Sequence, residues 1–220
     1  MAQRPVFRVR MRPPFYETVF VDFIYNGGFA ASQKQKNIVA LHAGYARRFA
    51  NEKVLEISSK SLQEVGVALS AFNLLKYVPS IGRGIPVENV FQGAKKFIAS
   101  GPYADLYGVT PLEAKRDQRL TASGRLTAFC FENEQYPLEP KTAFYDWIYI
   151  NALLENAESA RAAAEYGAFT DIEFNPDRSI NCQARAAAVF ASLTRLGLTE
   201  KAKDFSEYLS LITAGRIGRA

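Results

Sequence analysis

The chain has 220 residues, 48% hydrophobic and 22% charged, the proportions of a globular domain large enough to bury a core. Its net charge is +5, and it has no run of the ~18 apolar residues that a transmembrane helix needs, no low-complexity tract and no fixed-period repeat. Cys130 and Cys182 are its only cysteines and His42 its only histidine, too few for a disulfide scaffold or a zinc site.

The charge is uneven. Residues 1–48 carry Arg4, Arg8, Arg10, Arg12, Lys34, Lys36, Arg47 and Arg48 against Glu17 and Asp22, which accounts for the whole positive excess. A basic segment on a nearly neutral body has two readings: a polyanionic partner such as nucleic acid, or a solvated basic edge strand. The opening "MAQRPVFRVRMRPP" has cations but no apolar block behind them, so it is not a secretory signal. The expected setting is a reducing cytoplasm.

In chain order, Val6 to Arg10 alternates apolar and basic residues and predicts an edge strand. "YETVFVDFIY" (Tyr16–Tyr25) is β-branched and aromatic and predicts a second strand, broken by "NGG" at Asn26–Gly28. "FAASQKQKNIVALHAGYARRF" predicts a helix, with Ile38, Leu41 and Tyr45 at helical spacing and His42 beside them as a packing or interfacial residue. "VLEISSKS" predicts a short strand, and its Ser61 forms a capping-box pattern with Glu64 for a helix over "LQEVGVALS". "YVPSIGRGIP" reads as a loop whose Pro86 stands where a helix can start. "TPLEAKRDQRL" is a helix after a Thr cap, and "TAFCFENEQYPL" a strand and turn. "AFYDWIYINALLENA" and "QARAAAVFASLTRLG" are strong helices, the second closed by Gly197, and "EKAKDFSEYLSLITAG" is a last amphipathic helix. The pattern is α+β, predominantly helical with a few short strands, without the βαβ rhythm of a parallel nucleotide-binding sheet.

The segment "VENVFQGAKKF" (Val87–Phe97) carries the sharpest question. On a helix, Gln92 and Lys95 share a stripe with Glu88, while Phe91, Ala94 and Ile98 fall on an adjoining stripe suited to the core. One reading is a surface charge pattern, with the acid favoured by the helix dipole. The other is an active site. No HExxH, CxxC, Walker loop or GxGxxG occurs, so acid–base work in an enzyme would fall to carboxylates and lysines.

"VENVFQGAKKF", "LSAFNL" (Leu69–Leu74), "TPLEAKRDQR", "FYDWIYINAL" (Phe144–Leu153) and "FNPDRSINCQAR" (Phe174–Arg185) resemble, in the same order, the motifs of the NADAR (YbiA-like) superfamily over about residues 66–196. "LSAFNL" departs from that pattern, which has an Asn between Ser and Phe and a final Pro. "GAKKF" is one residue longer than its counterpart, so either Lys95 or Lys96 holds the lysine position, and helical phase favours Lys95. A closer resemblance covers nearly the whole chain. "GGFAASQKQKNI", "LEISSKS", "GPYADLY", "AKRDQRL" and "FTDIEFNP" read like the NADAR antitoxins paired with DarT-type DNA ADP-ribosyltransferases.

The resemblance implies a single structural domain, with residues 1–65 a basic extension packed on a NADAR-type catalytic core of residues 66–220. It implies a DNA ADP-ribosyl-guanine hydrolase, an N-glycosidase that acts as an antitoxin. Its partners would be ADP-ribosylated DNA, single-stranded or locally opened, the cognate DarT-type toxin, and ADP-ribose as product. No metal, other cofactor or membrane is implied. Glu88 is then the candidate proton shuttle and Asp146 a second acid. Lys95 is the candidate amine for a Schiff base, with Lys34 and Lys36 as rivals or as DNA contacts. Ser70, Phe72, Asn73 and Gln92 are candidates to hold the substrate, Arg116, Arg119, Asn181 and Arg185 to hold diphosphate, and Trp147, with Tyr145 beside it, to stack on a base; for the two aromatics the alternative is core packing. Two other functions fit the same motifs: an N-glycosidase acting on a free ADP-ribose- or NAD-related nucleotide, and a non-catalytic ADP-ribose-binding module.

Overall fold

A computed structural model describes residues 1–214 of the chain; Gly215, the end of the last expected helix, lies outside them. The N-terminal third builds one sheet. β1 (Ala2–Val9) and β2 (Tyr16–Phe23) form an antiparallel hairpin, α1 (Ala31–Ala46) packs on β2, and β3 (Val54–Glu56) follows. The sheet is completed from far along the chain. β9 (Ala168–Thr170) slots between β1 and β3, antiparallel to the first and parallel to the second.

The strands of residues 1–65 thus share their sheet with β9 from the C-terminal part of the chain. This placement corrects one expectation: β1 is an interior strand, not an edge. The arginines of β1 are compatible with that position because acids meet them. Arg8 pairs with Glu17 and Glu52 and lies over the Phe49 ring, and Arg10 pairs with Glu17.

α2 (Glu64–Ala68) is short, and its N-cap is Gln63 without a side-chain cap bond; the Ser61 hydroxyl accepts from the Gln63 N–H instead. The segment read as a loop is the hairpin β4 (Leu75–Val78) and β5 (Arg83–Pro86). Its Pro and Gly residues masked the alternation that buries Lys76 and Val78 while Leu75 and Tyr77 face out. α3 (Val87–Gly93) then leads into β6 (Lys95–Phe97), which pairs with β7 (Leu126–Phe131) and through it with β8 (Glu134–Tyr136). Between them lie a 3-10 turn (Ala104–Gly108), α4 (Pro111–Arg116), which has a complete Thr110–Glu113 capping box, and α5 (Arg119–Ala122).

α6 (Ala143–Glu155) is the hub. Every residue from Ala143 to Leu153 is buried, as expected of a helix enclosed on all sides. It contacts α3, β4, α7 (Ala157–Ala164), α8 (Gln183–Arg195) and α9 (Phe205–Thr213). α8 closes at Gly197, whose φ of 69° suits the left-handed position after a helix end. α9 is capped by Asp204, which accepts from the Glu207 N–H. Nine α-helices share the described residues with nine strands in three sheets, a mixed α+β fold. None of the described helices is long and apolar enough to cross a membrane.

Candidate active site

α3 is buried along its whole length, Glu88 and Gln92 included. Its first turn is hung on the "LSAFNL" segment: Val87 N–H donates to Leu74 O and Glu88 N–H to Ala71 O, both at 2.9 Å. Two segments far apart as motifs are therefore one structural unit. The helix stops at Gly93, where the 3-10 turn presses in. A Cβ on Gly93 would stand 2.4 Å from Tyr107 Cε1, and Tyr103 N–H donates to Gly93 O at 2.7 Å.

The early stop corrects the helical-phase argument for Lys95. Lys95 is not on the helix; it opens β6. Strand alternation makes the choice instead, turning Lys95 inward and leaving Lys96 exposed, and Ile98 is exposed as well. Lys95 Nζ donates to Gln92 Oε1 at 2.6 Å, and Gln92 Nε2 donates to Glu88 Oε1 at 2.9 Å. An ammonium has only donors and a carboxylate only acceptors, so the amide can bridge them in one orientation alone. Burial pulls the Lys95 pKa down to about 8 against the attraction of Glu88, with Lys115 pushing the same way. The ammonium also lies 4.7 Å from the Phe91 ring centre.

A second group of polar residues adjoins this relay. Gln183, at the start of α8, accepts from Ala71 N–H at 2.7 Å and donates to Ile57 O and to Asp171 Oδ2 at 2.7 and 3.0 Å. It therefore ties the end of β9 and the residue after β3 to the segment that anchors Glu88. Asp171 is held well above the usual carboxylate range by burial and by Glu56, which is itself raised by burial. Glu56 accepts from the Thr170 hydroxyl and Ile172 N–H, and His42 Nε2 meets the same hydroxyl at 2.8 Å. Burial lowers the His42 pKa to about 4, so the ring is neutral, in line with a packing role. Lys115 acts on both Lys95 and Asp171, and Tyr145, first through burial, is raised further by Glu88 and Asp171. The two groups thus share one neighbourhood.

Other predicted residues are distributed differently. Ser70 is buried and its hydroxyl has no partner; the side-chain oxygen of Asn181, just ahead of α8, is also buried and unpartnered. Buried polar atoms of this kind are rare, which suits them to a ligand. Phe72 is half-buried beneath Lys115, and Asn73 is exposed, its amide donating to Val67 O. Asp146 does not join Glu88. It faces Arg185 in a buried ion pair at 2.9 and 3.2 Å, and Arg185 also donates to Ile180 O. Arg185 is therefore engaged inside the protein, and it does not share a helix face with Asn181. Trp147 is core: its indole N–H donates to Lys203 O and its ring packs on Tyr136 and Phe205. It edges a groove of about 430 Å³ whose lining includes neither Glu88 nor Lys95. Tyr145 is buried edge-on against Phe91. Arg119 pairs with Asp105 and Asp117, whereas Arg116 is exposed. Lys34 pairs with Glu173 and Lys36 is exposed.

Sequence reading missed Asp171, Gln183, Glu56 and Lys115. The signal for Asp171 was present in "FTDIEF", an acid directly after an apolar strand, but its partners are set by the insertion of β9.

Fold and site together define a mixed α+β protein with a carboxylate, an amide and an amine in a buried relay, a combination suited to chemistry at an electrophilic carbon. The chain belongs to the DarT1-associated NADAR antitoxin family, whose sequence profile matches residues 2–219. None of the curated proteins matches it.

Proposed function

We propose that the protein removes ADP-ribose from guanine in DNA by cleaving the N-glycosidic bond. The observation that carries this reading is the Glu88–Gln92–Lys95 relay, in which an amine with its pKa lowered to about 8 is held one amide away from a shielded carboxylate. Membership of an antitoxin family directed at DarT1 supports the choice of a DNA adduct over a free nucleotide.

The neutral Lys95 amine attacks the ribose C1 carbon as the bond from C1 to the guanine nitrogen breaks, and the electron pair of that bond goes to the base. Glu88 takes the proton that the amine loses and delivers one to the departing nitrogen, so guanine leaves neutral. The C1–O4′ bond then opens to a Schiff base, with O4′ taking the remaining N–H proton. Water adds to the C=N carbon, restores the amine and releases ADP-ribose. Asp171, raised toward its neutral form and tied by Gln183 to the Glu88 anchor, contributes a second carboxyl in place of Asp146. The unpartnered Ser70 and Asn181 oxygens are the groups this reading assigns to the sugar hydroxyls.

The test is direct: incubate the protein with guanine-adducted oligonucleotide and with adducted guanosine. Release of ADP-ribose from the oligonucleotide supports the reading, and cleavage of neither substrate defeats it.

A further inference from the structure

The loop between β2 and α1 exposes more apolar surface than its length explains. Ile24 is 76% exposed, Tyr25 51% and Phe29 100%. The loop is nonetheless pinned at its base. The Asn37 side chain, 1% exposed on α1, accepts from Asn26 N–H at 2.7 Å and donates to Asn26 O at 3.0 Å. Gly28, at φ 116°, supplies the backbone bend that turns Phe29 outward; a Cβ there would also press on Gln33 Cγ at 3.2 Å. A fixed base and an aromatic tip make a protruding wedge rather than a flat patch.

The helix that follows the wedge is linked to the candidate site through a chain of polar contacts. Lys34, in the first turn of α1, pairs with Glu173 at 3.4 Å, and Glu173 N–H donates to Asp171 Oδ1 at 3.0 Å. Asp171 connects through Gln183 and Ala71 to Glu88. Lys36, seven residues after Phe29, is exposed on α1. An exposed ring followed by cations on the next helix matches the way proteins hold single strands: phosphates against Lys or Arg, and bases against aromatic faces of any sequence.

We propose that Phe29, with Tyr25 on the same loop, stacks on an unpaired base flanking the modified nucleotide and so holds the strand open around the site. This rests on the function proposed above only for the identity of the central nucleotide. A wedge that enters between bases also explains how an adduct reaches a buried relay, since an extruded nucleotide leaves a gap in the stack for an aromatic side chain to fill.

The experiment compares the wild type, Phe29→Ala and Phe29→Trp by fluorescence anisotropy on an unmodified single-stranded oligonucleotide, with the thermal midpoint as a control for folding. Phe29→Ala is expected to weaken binding by about tenfold, the loss of one base–aromatic stack, and Phe29→Trp to restore it. In turnover, the preference for the adducted oligonucleotide over adducted guanosine should fall by the same factor. Equal binding by wild type and Phe29→Ala, or no strand binding by the wild type, overturns the proposal and leaves a protein partner as the occupant of the loop. If the wild type binds the strand through Phe29 but cleaves neither adduct, the proposed reaction fails while the stacking assignment stands.

Discussion

Lys95 and Gln92 are joined by a 2.6 Å hydrogen bond across the end of a helix, one residue on a strand and the other on α3. Their contact is set by the break at Gly93, not by a continuous helical face. The junction places the amine in a half-buried position against an amide and an aromatic ring, and its burial, more than these contacts, favours its neutral form.

The first prediction concerns pH. Turnover should rise as pH rises through about 8, because the proposed reaction uses the free amine of Lys95. Lys95→Arg keeps the cation but offers no such amine, and should lower turnover by about two orders of magnitude or more. Borohydride added during wild-type turnover should trap a reduced ADP-ribose adduct on Lys95, detectable by peptide mass. A flat pH profile with no trapped adduct would assign the attack to water.

The second concerns stability at the same residue. The folded pKa of about 8 lies below the ordinary value of 10.5, so between these values the unfolded chain holds more protons than the native one. The penalty is fully present below pH 8 and is relieved as pH climbs toward 10.5. Lys95→Met should therefore raise the thermal midpoint at pH 7 while abolishing turnover; a lowered midpoint would show that the hydrogen bond to Gln92 outweighs the desolvation.

The third separates structure from chemistry. Asp146→Ala strands the buried Arg185 guanidinium and should cost about 3–5 kcal/mol of stability by urea unfolding. Turnover per folded molecule should change little. A fall comparable to that of Lys95→Arg would return Asp146 to the reacting atoms.

The fourth tests Asp171. Its folded pKa is raised, first by burial and then by Glu56, so the native state binds more protons than the unfolded chain once pH exceeds the ordinary carboxylate range. Stability from this group is therefore lost as pH rises toward the folded pKa. Asp171→Asn removes that loss, and the urea midpoints of the variant and wild type should converge, or cross, between pH 5 and pH 8. A constant gap would mean that Asp171 is ionised throughout.

Much of this site was legible in the sequence, though not always for the right reason. Glu88 and Gln92 stand four residues apart on a real helix and do bond as the spacing predicts. Lys95 was also singled out, but by a helical phase that stops two residues earlier. The arginines of β1 suggested an edge strand because alternation cannot show that Glu17 and Glu52 will meet them. Asp146 and Arg185 looked available because nothing local reveals a pair 39 residues apart. Asp171, Gln183 and Glu56 meet only because β9 enters the N-terminal sheet, a long-range pairing of three residues too short to leave a periodic signal.

In the proposed reaction Glu88 and Lys95 act together on one sugar carbon. The measurement that tests it most directly follows a single-stranded oligonucleotide carrying ADP-ribose on guanine by mass spectrometry, with wild type and with Glu88→Gln shown to be folded. Wild type should yield free ADP-ribose and unmodified oligonucleotide, and turnover should fall by about 10²–10⁴-fold in the variant. Unimpaired turnover by folded Glu88→Gln would contradict that joint action.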